Sequence, residues 1–213
     1  MPAGTRMVAV SKTKPVEMVQ QAYAAGQRLF GENKALEMRD KHAVLPQDIE
    51  WHFIGHLQTN KIKYIIPFVS LIHSIDSLPL LQAVNKEAAK HDRVVDCLLQ
   101  FHIAQEETKF GLDRTEAEEL MAHLAECGNV RLVGVMGMAT NTPDIGQVRR
   151  EFRALHDIFD WLKAGWFADR PWFKEISMGM SHDWQTAVEE GSTMVRLGSS
   201  LFGPRDYGVK VND

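Results

Sequence analysis

Only two cysteines, Cys97 and Cys127, occur in 213 residues. That is too few for a disulfide framework, and both are expected as reduced thiols in a cytoplasmic protein. The chain lacks any apolar run long enough to span a membrane. Its first residues, MPAGTRMVAVSK, carry no apolar core of useful length for a secretory signal. Basic charge is scarce as well. The formal net charge of -4 argues against a dedicated nucleic-acid or membrane-surface protein, because both need a basic field. Low-complexity tracts and long linkers are missing too. With 45% hydrophobic and 24% charged residues the composition is that of a globular protein, and a single domain over residues 1–213 is expected.

What is present is an alternation. Short runs rich in Val, Ile and Leu are followed by longer amphipathic stretches, the mark of βα units. The runs predict strands over 6–10, 28–30, 50–54, 71–74, 94–101, 130–135, 174–177 and 194–197. Helices are predicted over 16–25, 78–91, 115–127, 145–164 and 183–190. Pro15 suits a first helical position and Gly26 a helix C-terminus. Asp76 or Ser77 can cap the second predicted helix, and Asp113 the third, which Gly128 ends. Eight strands, each followed by helical or turn sequence, point to an α/β fold of the (β/α)8 TIM-barrel type. A doubly wound open sheet is the alternative, although no GxGxxG follows the first strand.

In such a barrel, function sits at the C-terminal strand ends. Two of these ends, Gly179–Met180–Ser181 and Gly198–Ser199–Ser200, would follow strands seven and eight, where barrels commonly hold phosphate on backbone N–H groups and hydroxyls. One such turn alone reads as a plain tight turn; two side by side favour an anion. Lys12 ends the first strand and would project over the same mouth, with Lys14 lying in the turn before the helix. A lysine is usually solvated. Desolvated in a barrel mouth it can be neutral often enough to form an imine with an aldehyde. An imine-forming lysine opposite a phosphate site suggests pyridoxal 5'-phosphate (PLP), which carries both groups. Arg196, in MVRLG on strand eight, could then donate to the pyridine nitrogen; a structural ion pair is its other reading. His52 and His56 in WHFIGH lack a third ligand at a recognisable spacing, so packed strand-end histidines are expected there rather than metal ligands. Trp161, Trp166, Trp172 and Phe173 are read as helix–barrel packing.

The stretches AVSKTKP (9–15), FGEN (30–33), WHFIGHLQTNK (51–61), SMGMSHDWQTAVEEGSTMVRLGSSLFG (177–203) and RDY (205–207) together resemble the pyridoxal phosphate homeostasis protein family. These are the single-domain relatives of the alanine racemase barrel. The resemblance implies an alanine racemase N-terminal-domain-like barrel binding PLP through an aldimine on Lys12. It implies that Asn33 lines the cofactor, that Ser181, Gly198 and Ser199 hold its phosphate, with Ser200 a weaker candidate, and that Arg196 faces the ring nitrogen. It implies a role in vitamin B6 homeostasis without substantial catalysis. PLP-requiring apo-enzymes are the expected recipients and a monomer or weak dimer the expected state.

Some positions depart from the family pattern. Family members carry a helix ahead of the first strand, which is expected to be missing here. The FGEN continuation differs, and Phe101–His102 stand where the family shows Val-Asn. The second domain that gives the racemases an opposing tyrosine is expected to be absent, and none of Tyr23, Tyr64 and Tyr207 is placed by sequence over a cofactor. Two alternatives stand beside the homeostasis role. One is a PLP-dependent racemase or decarboxylase; the other is a phosphate-ester enzyme without PLP.

Overall fold

A computed structural model of the chain describes residues 4–105 and 110–204. Eight parallel strands close into a barrel in chain order. They are β1 (Arg6–Val10), β2 (Leu29–Glu32), β3 (Glu50–Phe53), β4 (Leu71–Ile75), β5 (Val95–Gln100), β6 (Val130–Met136), β7 (Glu175–Met180) and β8 (Met194–Leu197). Closure rests on β1, which pairs with β2 on one side and β8 on the other, Val8 lying opposite Arg196. That excludes the open-sheet alternative: the fold is a (β/α)8 TIM-type barrel.

The helices that follow the strands are α1 (Val16–Ala24), α2 (Ala35–Val44), α3 (Leu78–Ala89), α4 (Arg114–Ala122), α5 (Ile145–Gly165), α6 (Trp184–Glu189) and α7 (Ser199–Phe202). Asp113 caps α4 with a full capping box, its carboxylate accepting from the Glu116 N–H while Glu116 accepts from Asp113. Gly26, at φ +100°, follows α1 in the left-handed conformation that favours glycine at a helix C-terminus.

Several boundaries differ from expectation. β2 runs on to Glu32 and β7 to Met180, so Gly179 and Met180 belong to the strand and the turn begins at Ser181. The predicted helix 115–127 stops at Ala122 and resumes as a short 3-10 turn over Leu124–Glu126, before Gly128 is reached. Pro15 occupies the cap position ahead of α1 rather than its first turn. Ser77 precedes α3 without a side-chain cap bond. The helix α2, a 3-10 segment over Thr59–Tyr64 and the single turn α7 were not anticipated.

Two apolar layers hold the barrel. Val8, Leu29, Leu71, Leu98, Val133, Met136 and Met194 form one cluster, contributed by most of the strands and filling the barrel interior. The larger cluster, including Phe30, Trp51, Phe53, Ile72 and Phe152, packs between strands and helices. Its aromatic end stacks Phe167 and Phe159 on Phe173 and sets Trp161 edge-on to Trp166; the expected packing role holds for Phe173 and Trp161, whereas Trp166 and Trp172 are exposed. Gly134 lets β6 and β7 meet: a Cβ there would stand 1.8 Å from the Glu175 carbonyl oxygen. Among the described residues no helix is long and apolar enough to cross a membrane.

Candidate functional site

Strand alternation decides which side chains reach the barrel mouth. On β1, Val8 joins the interior cluster and Ala9 the outer one. Ser11 continues outward, where its hydroxyl donates to Glu32 Oε1 at 2.6 Å. Lys12 is the second residue of the tight turn that follows. It borders a cavity of about 380 Å3 together with Val10, Met180, Ser181, Gly198 and Ser199. Four residues named from the sequence therefore meet at the C-terminal ends of β1, β7 and β8. Asn141 and His182 also line this cavity. Asn141 belongs to a loop without a motif, and His182 lies within the 177–203 stretch but was not singled out there.

The β7 side of the cavity is shaped by Gly179. At φ +95° it lies where β7 slips register against β8, and a Cβ there would come within 2.5 Å of the Ala187 Cβ. The chain can then turn so that Ser181 Oγ accepts from the Gly198 N–H at 3.2 Å and the Ser200 N–H at 3.5 Å. One hydroxyl oxygen thus occupies a position to which two backbone donors point, the arrangement an anionic oxygen needs.

Lys14 is placed differently. Its ammonium donates to the carbonyl oxygens of Phe202 at 2.9 Å, Gly203 at 3.3 Å and Pro204 at 2.7 Å. It closes the C-terminal end of α7. Lys14 borders the same cavity as Lys12, with its ammonium held by these three carbonyls.

Arg196 does not line the cavity. It sits one strand pleat below Gly198 and is 4% exposed. Its guanidinium donates to the Ser177 carbonyl at 2.8 Å, the Ser177 hydroxyl at 2.6 Å and the Gly137 carbonyl at 3.0 Å. Burial lowers its pKa to about 10, with the nearby Asp183 charge working the other way, so it stays charged at neutral pH. Ser177 continues to His73, and His73 to His52. This buried polar chain inside the barrel was not foreseen.

Asn33 lies at the end of β2 and lines a second cavity, of about 390 Å3, with Phe53, His56 and Leu57. Its amide oxygen is buried without a hydrogen-bond partner. The two histidines of WHFIGH part company: His52 bonds to His73 within the barrel, and His56 to Asp76 at the mouth. No group of three metal-capable side chains occurs among the described residues.

A family model described as the alanine racemase N-terminal domain matches residues 1–206. The pyridoxal phosphate homeostasis protein of Aquifex aeolicus is 39% identical over 203 residues, which cover 95% of this chain and 88% of that protein. The chain belongs to the pyridoxal phosphate homeostasis protein family. The human protein of that name is 38% identical over 218 residues, covering 96% of this chain and 78% of its own. Among solved structures, PipY of Synechococcus elongatus with PLP bound superposes with a TM-score of 0.86 at 33% identity, over 95% of this chain and 94% of PipY. The alanine racemase of Streptomyces coelicolor has a TM-score of 0.73 at 18% identity, over 94% of this chain and 54% of the racemase. That likeness is one of fold. The RDY stretch (205–207) that contributed to the resemblance lies outside the described residues.

Proposed function

We propose that this protein binds PLP as a Schiff base (aldimine) on Lys12 and serves intracellular PLP homeostasis, without substantial turnover of amino acids. The observation that carries the reading is the single cavity that sets Lys12 against Ser181, Gly198 and Ser199. The relatives named for PLP homeostasis and the PLP-bound PipY support it.

The residues present fit the cofactor. PLP supplies an electrophilic aldehyde on a ring that carries a phosphate. Lys12 offers the amine, and Lys14, held by three carbonyls, is the weaker competitor. The Gly198 and Ser200 amides that now converge on Ser181 Oγ suit a phosphate oxygen, and the Ser181 and Ser199 hydroxyls lie beside them. Arg196 has three of its five N–H groups engaged, which leaves donors for a ring nitrogen and keeps that nitrogen unprotonated. Asn33, with its unpartnered amide oxygen, lines a second cavity and not the one Lys12 borders. The setting is the cytoplasm, where Cys97 and Cys127 remain thiols; PLP-requiring apo-enzymes are the recipients, and the protein acts as a monomer or weak dimer.

The deciding experiment is a visible absorption spectrum of the PLP-loaded protein before and after borohydride, followed by peptide mapping. An imine band that collapses on reduction, with the pyridoxyl group on the Lys12 peptide, is expected. A pyridoxyl group found mainly on Lys14 would overturn the assignment.

A further inference from the structure

On the outer side of the Lys12 turn lies a buried ion cluster. Lys41, on α2, is 5% exposed, and its ammonium donates to three oxygens: the Ser11 carbonyl at 2.7 Å, Glu32 Oε1 at 2.7 Å and Glu37 Oε1 at 2.8 Å. Glu32 is fully buried and also accepts the Ser11 hydroxyl. Glu37 accepts the Thr13 backbone N–H at 2.6 Å. The cluster therefore grips the residues on either side of Lys12, Ser11 through its carbonyl and hydroxyl and Thr13 through its amide.

Two physical points mark this as more than packing. Replacing a buried ion pair by apolar side chains of similar volume is often neutral or stabilising, so stability alone is a weak reason for the cluster. Thr13 has φ +61°, a left-handed conformation that is rare for a β-branched residue and persists only where the surroundings over-determine it. Those surroundings are the turn bond from the Lys14 N–H to the Ser11 carbonyl at 3.1 Å, together with Glu37 on the Thr13 amide and Lys41 on the same Ser11 carbonyl. Lys12 is the second residue of that tight turn, so holding Ser11 and Thr13 fixes the backbone on both sides of it.

We infer that Lys41, together with Glu32 and Glu37, is a positioning residue for Lys12: it fixes the Ser11–Thr13 turn so that the Lys12 amine, and not another lysine, meets the ligand's aldehyde. The inference rests on the Schiff-base reading above. In that step the neutral Lys12 nitrogen adds to the aldehyde carbon, and the carbonyl oxygen leaves as water. Its rate depends on how the amine is held over the cavity, and the cluster holds the backbone on both sides of that amine.

The test compares the unaltered protein with Lys41→Met and Glu37→Ala. PLP is added, imine absorbance is followed in time, and borohydride-trapped label is mapped by peptide. Near-ultraviolet circular dichroism and a melting curve establish that each variant is folded. Imine formation about tenfold slower is expected, with part of the label moving from Lys12 to other lysines such as Lys14. Glu37 is the half-exposed member, so Glu37→Ala decides the matter should Lys41→Met fail to fold. Label confined to Lys12 and arriving at the original rate in a folded variant would refute the positioning role. Absence of label from Lys12 in the unaltered protein would instead reject the Schiff-base reading itself.

Discussion

Arg196 Nη1 donates to Ser177 Oγ at 2.6 Å, at one end of a buried polar chain inside the barrel. Ser177 Oγ lies 3.0 Å from His73 Nδ1, and His73 Nε2 lies 2.9 Å from His52 Nδ1. Hydrogen bonding in either direction along the chain satisfies these contacts with both imidazoles neutral. Burial enforces that state. It pushes His52 down to about 3 and His73 well below its ordinary value, where the His52 and Arg196 charges add to the effect.

A pH dependence of stability follows. In the unfolded chain both histidines titrate near their ordinary pKa; in the fold they do not take the proton until far lower pH. Stability is therefore fully present above the unfolded pKa and is lost as pH falls from about 6.5 toward the folded values. Between pH 7.5 and 5.5 the two should cost roughly 3 kcal/mol together. Glu32, whose burial raises its carboxyl pKa, works in the opposite direction. Urea unfolding at the two pH values measures the difference. A His52→Asn, His73→Gln double variant should flatten the profile; an unchanged slope would show that the histidines are not its source.

The phosphate turn can be tested without reference to the imine. If Ser181 and the Gly198–Ser199 turn hold phosphate, pyridoxal should bind far more weakly than PLP, and inorganic phosphate should compete. Ser181→Ala should weaken binding by about 1.5–3 kcal/mol. Lys12→Ala should abolish the imine absorbance yet leave weak binding driven by the phosphate. Titration of each ligand by fluorescence reads both. Equal affinity for pyridoxal and PLP would rule the site out.

Gly179 should resist substitution for a steric reason. Alanine there would hold an unfavourable positive φ and place its Cβ against Ala187. A loss of roughly 2–4 kcal/mol is expected, together with weaker PLP binding, because β7 slips register at this residue just before the turn at Ser181. Chemical denaturation gives the first quantity and ligand titration the second. An alanine variant as stable as the unaltered protein would show that the turn tolerates another backbone path.

The strands and α5 were legible because their apolar residues repeat at the right period and their neighbours are turn-formers; β1 and β8 match expectation to the residue. The helix α2 was hidden by its own chemistry. Its buried face runs Ala35, Met38, Lys41, so a charged residue stands where the apolar period needs a third hydrophobe, and Val44 one turn on is exposed. That same lysine organises the Lys12 turn. His52, His73 and Ser177 could be assigned to one strand face, but polar residues on a strand face read as solvated until closure of the barrel buries them. Lys14 reaches carbonyls at the far end of the chain, and no local signal announces that. What was legible at the mouth was the set of strand ends: Lys12, Ser181, Gly198 and Ser199 were all named as mouth residues because they follow apolar runs.

Whether the protein turns over amino acids is the sharpest remaining question. Were Arg196 to donate to the pyridine nitrogen as proposed, the ring would stay unprotonated and be a weaker electron sink, which alone does not decide the matter. Racemisation needs a proton donor and acceptor on each face of the substrate, within hydrogen-bond reach. The tyrosines do not favour such a pair. Tyr23 Oη donates to Asp48 at 2.7 Å, and Tyr64 packs among Arg39, Lys61 and Lys63 on the outer surface; Tyr207 lies outside the described residues. A cofactor served from one side suits loading and release better than controlled proton transfer. The PLP-loaded protein should therefore leave single-enantiomer amino acids intact in deuterated water, with α-deuteration far below the roughly 1–1000 per second of ordinary enzymes. Mass spectrometry and chiral chromatography follow deuterium and optical purity together. Rapid exchange with loss of optical purity would establish a racemase, and rapid exchange with retained configuration would place the proton donor on one face alone; either outcome would end the non-catalytic reading.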